Sequence, residues 1–379
     1  MSTKSMAKLT DQEAMNLAIA EAKKGYGWVE PNPPVGCVIL DKDRNLIATG
    51  YHGKFGKSHA EIEALKKVKN KKLLDGAHMF ITLEPCSHFG KTPPCAVQLA
   101  TLPFGSVTFG RVDPNPAVKG KGSLILRSSG MKAIKYKGDR TELDKLHDMF
   151  CYSYENTSTF VTIKIASSID GQMALKSGES QWITCEESRL FAHELRARHG
   201  AVLVGRGTLN IDDPYLNVRH PKFKKFRGEN KVVVIDPDGS ILNNIQKYKI
   251  SNYRSKKNIF VVTSNKIKSN NKHCQHISVS LKGKYLDLGQ LKKTLFLNGI
   301  QSVLVEGGPL TVSQFLEQNE ANKLCLFMSP SILGAKGGMS WTSELAIKKL
   351  SQKIALQNST YEAIGSDILL TSYFKGAFS

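Results

Sequence analysis

The stretch from His59 to Cys95 limits what this chain can fold into more than any other part of it. It reads H-A-E-I-E-A from His59 and T-L-E-P-C-S-H-F-G-K-T-P-P-C from Thr82. His59, Cys86 and Cys95 supply one imidazole and two thiols, a donor set that suits zinc and leaves one tetrahedral position free for a water. Glu61 is not needed as a ligand and is free to move protons at that position. Metal-assisted hydrolysis is the reaction class this implies. A closed structural site would want a fourth protein ligand, and His88 is the candidate; that reading leaves Glu61 and the segment between the cysteines without a purpose.

Such ligands are best placed at helix starts, where unpaired amides and the helix dipole stabilise thiolate. The surrounding pattern supplies those starts. Thr10 and Glu13 form a capping box ahead of a helix with Ala14, Leu17, Ala18 and Ala22 on its apolar side. P-N-P-P-V-G-C-V-I-L and L-I-A-T-G-Y-H then read as a hairpin, with Asn32 and His52 near its ends. His59 opens a helix, a strand from His78 to Leu83 runs into Pro85 and Cys86, and Cys95 begins the next helix. Further strands at Ser106–Phe109 and Met131–Tyr136, with helices near Ser123–Ser128 and from Thr141, complete a three-layer α/β/α sandwich.

With 379 residues, two domains of ordinary size are expected. The polar run from Tyr152 to Thr159 is read as the linker, giving domains at 1–155 and 156–379. The second domain alternates strands at Ala201–Val204, Val232–Ile235, Ile259–Thr263, Ser302–Glu306 and Leu324–Met328 with helices such as Glu186–Arg198, a second α/β unit. V-G-R-G-T-L-N at 204–210 lacks the third glycine of a dinucleotide fingerprint. V-E-G-G-P-L-T at 305–311 reads as a strand, a glycine turn and a helix start that would let a phosphate approach closely, or as an ordinary turn.

The seven scattered cysteines are an odd number, which argues against a disulfide framework. No apolar run approaches a membrane span and the N-terminus lacks a signal-peptide core, so a soluble cytoplasmic protein is expected. The formal charge of +20 favours anionic partners.

Zinc nucleobase deaminases carry H-x-E followed by P-C-x-x-C, with the glutamate as general acid and base. Here eight residues separate the two cysteines. That long form, E-P-C-S-H-x-G-K-T-P-P-C, resembles the deaminase half of the bifunctional riboflavin-pathway deaminase/reductases. I-K-I-A-S-S-I-D-G, S-G-E-S-Q-W-I-T, L-R-A-R-H, V-G-R-G-T-L-N-I-D-D-P-Y-L-N-V-R and V-E-G-G-P resemble, in order, the reductase half of the same family. The resemblance implies a cytidine-deaminase-like first domain and a second domain similar to dihydrofolate reductase. It implies zinc and NADPH as cofactors and a homo-oligomer assembled through the reductase domain.

Site roles follow from the same resemblance. Asn32 and Lys91 would line the first substrate site. Ala166, Trp182, Thr208, Asp212 and the segment Gly308, Pro309, Leu310, Thr311, Val312 and Ser313 would hold NADPH. Ser180, Arg196, Leu216 through its carbonyl, Arg219 and Glu306 would hold a phosphorylated pyrimidine, and Lys164 and Glu306 are candidates for proton delivery. The implied reactions are deamination of 2,5-diamino-6-ribosylamino-4(3H)-pyrimidinone 5′-phosphate and NADPH-dependent reduction of its ribosyl group to ribityl. The alternatives are a zinc deaminase acting on nucleic acid and a non-catalytic, zinc-stabilised RNA-binding protein. Of the lysine runs at 66–72, 222–227 and 266–272, only K-F-K-K-F-R at 222–227 carries the aromatic interleaving that single-stranded nucleic acid would want, and a nucleic-acid deaminase would leave the second half without a purpose.

Overall fold

The computed structural model describes residues 8–88, 93–223 and 230–377. The chain divides into two compact units, Met1–Glu155 and Asn156–Ser379.

The first unit runs α1 (Asp11–Lys23), β1 (Gly36–Leu40), β2 (Leu46–Tyr51), α2 (Ala60–Lys67), β3 (His78–Leu83), α3 (Cys95–Leu99), β4 (Ser106–Arg111), α4 (Lys121–Ser128), β5 (Lys132–Lys135), α5 (Thr141–Leu146) and α6 (Asp148–Asn156). The α1 capping box forms, with Glu13 N donating to Thr10 Oγ1 at 3.2 Å and Thr10 N donating to Glu13 Oε2 at 2.9 Å. Strand order is β2-β1-β3-β4-β5, with the β1–β2 and β1–β3 pairs antiparallel and the rest parallel.

The pleat sorts β1 into two cores. Val38 and Leu40 join Ala14, Ala18 and Ile19 of α1 and Leu143 of α5. Cys37 and Ile39 join Ala60 and Ala64 of α2, Leu99 of α3 and Leu126 of α4. Helices therefore cover both faces, the three-layer arrangement. Contact is close enough that a Cβ on Gly50 of β2 would lie 2.3 Å from the Ala60 carbonyl oxygen, so only glycine lets α2 pack there.

The second unit runs β6 (Phe160–Ser168), β7 (Gln172–Leu175), α7 (Glu186–Arg198), β8 (Ala201–Gly205), α8 (Arg206–Asp212), β9 (Lys231–Ile235), α9 (Lys249–Asn252), β10 (Ile259–Ser264), β11 (Gln275–Val279), β12 (Leu281–Lys282), β13 (Tyr285–Leu286), α10 (Leu288–Leu297), β14 (Ser302–Val305), α11 (Pro309–Glu317), β15 (Lys323–Ser329), β16 (Gly338–Ser340), β17 (Leu356–Ile364) and β18 (Asp367–Phe374). Its main sheet has the order β11-β10-β9-β8-β14-β6-β15-β18-β17. The first seven strands are parallel, and β18 and β17 close one edge as an antiparallel hairpin. Parallel strands buried on both faces explain the unbroken apolar runs K-V-V-V-I and I-F-V-V-T.

Two readings of the sequence are corrected. The polar run from Tyr152 is no open linker: α6 continues to Asn156, because Cys151 and Ser153 are buried and give that helix an inner side. The strand expected at Ile259–Thr263 is β10, but the sequence reading named no strand at β11, which extends the main sheet, and Ile241, Leu242, Ile245 and Ile250 pack beneath β9 and β10.

Candidate functional site

In the first unit, His59 immediately precedes α2, Cys86 follows the end of β3, and Cys95 opens α3. Cys95 Sγ and Cys86 Sγ lie 3.3 and 3.5 Å from His59 Nδ1. All three donor atoms fall within 4.8 Å of one another. The Cys95 backbone N–H, at the start of its helix, donates to Cys86 Sγ at 3.3 Å. Hydrogen bonding from the Cys95 thiol, against the cost of burial and with help from His59, holds Cys86 down at about 4. The same hydrogen bond and burial push the Cys95 thiol up. One imidazole and two thiols within reach of a single ion are a donor set that fits zinc. His88 is exposed and is not part of this group.

Glu61 lies in the first turn of α2 and is 3% exposed. Burial pushes its carboxyl up to about 7. His52 had no role assigned from the sequence, yet it packs edge-on to His59 with ring centroids 5.3 Å apart. Its Nδ1 lies 3.1 Å from the Ser58 carbonyl oxygen and so carries the proton. Nε2 is then the acceptor for the Asn32 side-chain amide at 3.3 Å. Asn32 is thereby held, and no hydrogen bond among the described residues uses its carbonyl oxygen. Lys91 lies outside the described residues.

The second unit holds a cavity of about 230 Å³ at the C-terminal ends of its parallel strands, where open α/β sheets bind ligands. Lys164 and Ala166 of β6, Trp182, Arg196 of α7 and Arg219 all line it. Glu306, just past β14, accepts from Arg196 Nε at 2.5 Å and Nη2 at 3.0 Å, with Lys164 Nζ at 3.6 Å. Burial would raise the Glu306 carboxyl, but Arg196 and Lys164 outweigh it and hold it at about 2. Arg196 spends its remaining edge on the Asn217 carbonyl oxygen at 3.1 Å. Arg219 is exposed and has no carboxylate partner among the described residues.

Other expected site residues do not line this cavity. Thr208 and Asp212 lie on α8, Ser180 precedes the Trp182 turn, and the Leu216 carbonyl accepts from Asn230 Nδ2 at 2.7 Å. At the α11 start, Gly308 is the N-cap and has open space where a Cβ would stand. Pro309 and the half-exposed Leu310 follow, and Val312 points into the apolar core. Ser313 Oγ is buried without a partner. Thr311 packs where Cβ atoms on Gly205 and Gly307 would clash, which draws the two strand-to-helix turns together. The free amides of a helix start, the open Gly308 and an orphan hydroxyl fit a dinucleotide phosphate.

The sequence reading missed Arg189 and His193, both in the cavity wall. Arg189 lies over the Trp182 ring at 4.6 Å and His193 contacts Arg219 and Arg196. A signal was available: positions 189, 193 and 196 share one helical face, so placing Arg196 in a site places the other two.

Residues 8–111 match the model of the cytidine and deoxycytidylate deaminase zinc-binding region, and residues 159–370 match that of the RibD C-terminal domain. The riboflavin biosynthesis protein RibD of Aquifex aeolicus is 33% identical over 98% of this chain and 99% of that protein. The chain belongs to the RibD family. The RibD protein of Escherichia coli is 29% identical over 96% of this chain and 99% of its own length. Among solved structures, Acinetobacter baumannii RibD superposes with a TM-score of 0.82 at 31% identity, covering 96% of this chain and 99% of that one. A diaminohydroxyphosphoribosylaminopyrimidine deaminase/5-amino-6-(5-phosphoribosylamino)uracil reductase from Thermotoga maritima gives 0.78 at 32% identity, covering 95% and 97%. Both halves of a RibD enzyme are thus present, a zinc-dependent deaminase and an NADPH-dependent reductase of riboflavin biosynthesis, acting on small molecules. No helix among the described residues is long and apolar enough to cross a membrane.

Proposed function

We propose that the two reactions run at the two sites just described, one in each unit. The observation that carries this is the pairing of a His59, Cys86 and Cys95 cluster beside a buried Glu61 with a separate cationic cavity at the ends of the second unit's strands. His59, Cys86 and Cys95 would hold zinc, which supplies an activated water to the carbon bearing the exocyclic amine. Glu61, with its carboxyl pushed up to about 7, holds a proton readily near neutrality and can release it to departing ammonia. Asn32, oriented by His52, hydrogen-bonds the pyrimidine edge, and Lys91 meets the substrate's anionic end.

In the second unit, NADPH supplies hydride. The α11 start at Gly308 to Ser313 and the α8 residues Thr208 and Asp212 bind its phosphates and ribose, while Ala166 and Trp182 orient its ring. Arg219 takes the substrate phosphate, since its guanidinium faces no carboxylate among the described residues. Arg196 instead holds Glu306 ionised beside Lys164, which leaves Lys164 as the proton donor to the reduced sugar oxygen. Ser180 and the Leu216 carbonyl complete the sugar contacts.

The substrates are phosphorylated pyrimidines rather than nucleic acid, because the second unit has its own small-molecule cavity. The exposed outer strand β17 supports a homo-oligomer through the reductase domain, as an unpaired edge with Tyr361 70% exposed invites covering. A cytoplasmic location agrees with seven free cysteines. A coupled assay tests the reading: on the diaminopyrimidine phosphate, ammonia release and NADPH oxidation should both appear, with about one zinc per chain by elemental analysis. Active protein without zinc would overturn the first site.

A further inference from the structure

Three residues of α7, Arg189, His193 and Arg196, look into the reductase cavity. The two arginines have visible partners there. His193 is less obvious. Its Nδ1 lies 3.2 Å from the backbone nitrogen of Arg219, 3.2 Å from the Asn217 carbonyl oxygen and 3.4 Å from Arg196 Nη1. A backbone N–H can only donate, and so can a guanidinium. The Asn217 oxygen already receives Arg196 Nη1 at 3.1 Å. Two donors aimed at Nδ1 require its lone pair, which puts the proton of a neutral ring on Nε2.

The ring is kept neutral. Burial, then Arg196 and Arg219, press its pKa down to about 4 against the opposing pull of Glu306. No hydrogen bond among the described residues uses Nε2, and with the Nδ1 edge taken by the Asn217–Arg219 loop, Nε2 is the edge left for the cavity.

We propose that His193 is a substrate-contacting residue of the reductase site, whose Nε2–H donates to an oxygen of the substrate phosphate beside Arg219. This rests on the reading that the cavity takes a phosphorylated ribosyl substrate. Arg196 is occupied by Glu306, so Arg219 would otherwise meet the phosphate from an exposed loop. A phosphate offers more lone pairs than one guanidinium can fill. His193 adds a donor fixed on a helix, and because Nδ1 also receives the Arg219 amide, one ring ties the loop to the anion it holds.

Two near-isosteric variants separate the ring edges. His193→Asn keeps an acceptor near Nδ1 and removes the cavity-facing donor, while His193→Gln keeps a donor near Nε2 and loses the Nδ1 acceptor. His193→Asn should raise KM for 5-amino-6-(5-phosphoribosylamino)uracil about ten-fold, the cost of one hydrogen bond to a charged group. NADPH affinity measured without substrate should stay within about two-fold, and the same variant should change KM for the dephosphorylated substrate by less than about two-fold. His193→Gln should raise KM less than His193→Asn does, and if His193→Asn does not fold, His193→Ala takes its place in the comparison with His193→Gln. A KM increase in His193→Gln with an unchanged KM in His193→Asn would show that only the Nδ1 contact matters and would overturn the proposal, as would equal increases in both variants. Arg219→Ala is the control: if it raises KM and His193→Asn does not, only the His193 assignment fails; if neither does, the phosphate reading of the cavity fails with it.

Discussion

Two buried glutamates face the two sites of this protein, and their surroundings drive them in opposite directions. Glu61 is 3% exposed, and burial lifts its carboxyl to about 7. The Glu306 side chain is 8% exposed, yet Arg196 and Lys164 keep it ionised down to about 2. Burial is common to both, so burial alone does not set a carboxylate's role; the charge beside it does. Glu61 is poised to exchange a proton near neutral pH. Glu306 is fixed as an anion that orders cations around it.

The largest effect that would test this contrast is on chemistry at the first site. Glu61→Gln should lower ammonia release by about 10²- to 10⁴-fold, the usual worth of a positioned acid–base group. Reduction of supplied deaminated substrate should continue, and global stability should hold or rise slightly, since a buried carboxyl whose charge burial disfavours is replaced by a neutral amide. A parallel fall in both activities would undo the two-site reading.

Glu306→Gln should behave in the opposite manner. It leaves Arg196 buried without its anion, so stability of the second unit should fall by about 3 kcal/mol in chemical denaturation, with reductase activity lost. If stability is untouched, Glu306 is not the anchor described here.

The pH dependence follows from the same pair. Glu306 has a folded pKa below its unfolded value, so its contribution is fully present above about pH 4.5 and is lost as pH falls toward 2. His193, held near 4, adds a loss as pH falls from about 6.5 through 4, because the unfolded ring takes up a proton that the folded ring refuses. Tryptophan fluorescence in a Trp28→Phe background reports the second unit, which holds Trp182 and Trp341. The acid limb should flatten in Glu306→Gln.

Lys164→Met should cost the fold least, about 1 kcal/mol in chemical denaturation, because its ammonium stands 3.6 Å from Glu306 where Arg196 makes two short bonds, although it removes the proposed proton donor and with it reductase turnover. A loss of stability as large as that in Glu306→Gln would mean that Lys164, rather than Arg196, is the main partner.

The two sites also differed in how far they could be read in advance. His59, Glu61, Cys86 and Cys95 sit on adjoining elements, and their residue types are rare enough together to name a metal site before any fold is known. His52 escaped because its role is to orient Asn32, and a histidine at a strand end carries no mark of that. Arg189 and His193 escaped because helix α7 was read for its ends rather than its faces.

The sequence by itself determined which imidazole and thiols could serve zinc, the order of strands and helices around them, and, through blocks such as V-E-G-G-P, the second domain's kinship. Those features depend on local spacing and side-chain chemistry, which the chain carries wherever it goes. Only the tertiary structure decided that Arg196 belongs to Glu306, that Arg219 is left facing an open cavity, and that the Arg219 backbone N–H donates to His193 Nδ1. Partner choice among charges is set by distances across elements far apart in the chain. In a poorly screened interior, a difference of an ångström or so decides which cation a carboxylate keeps.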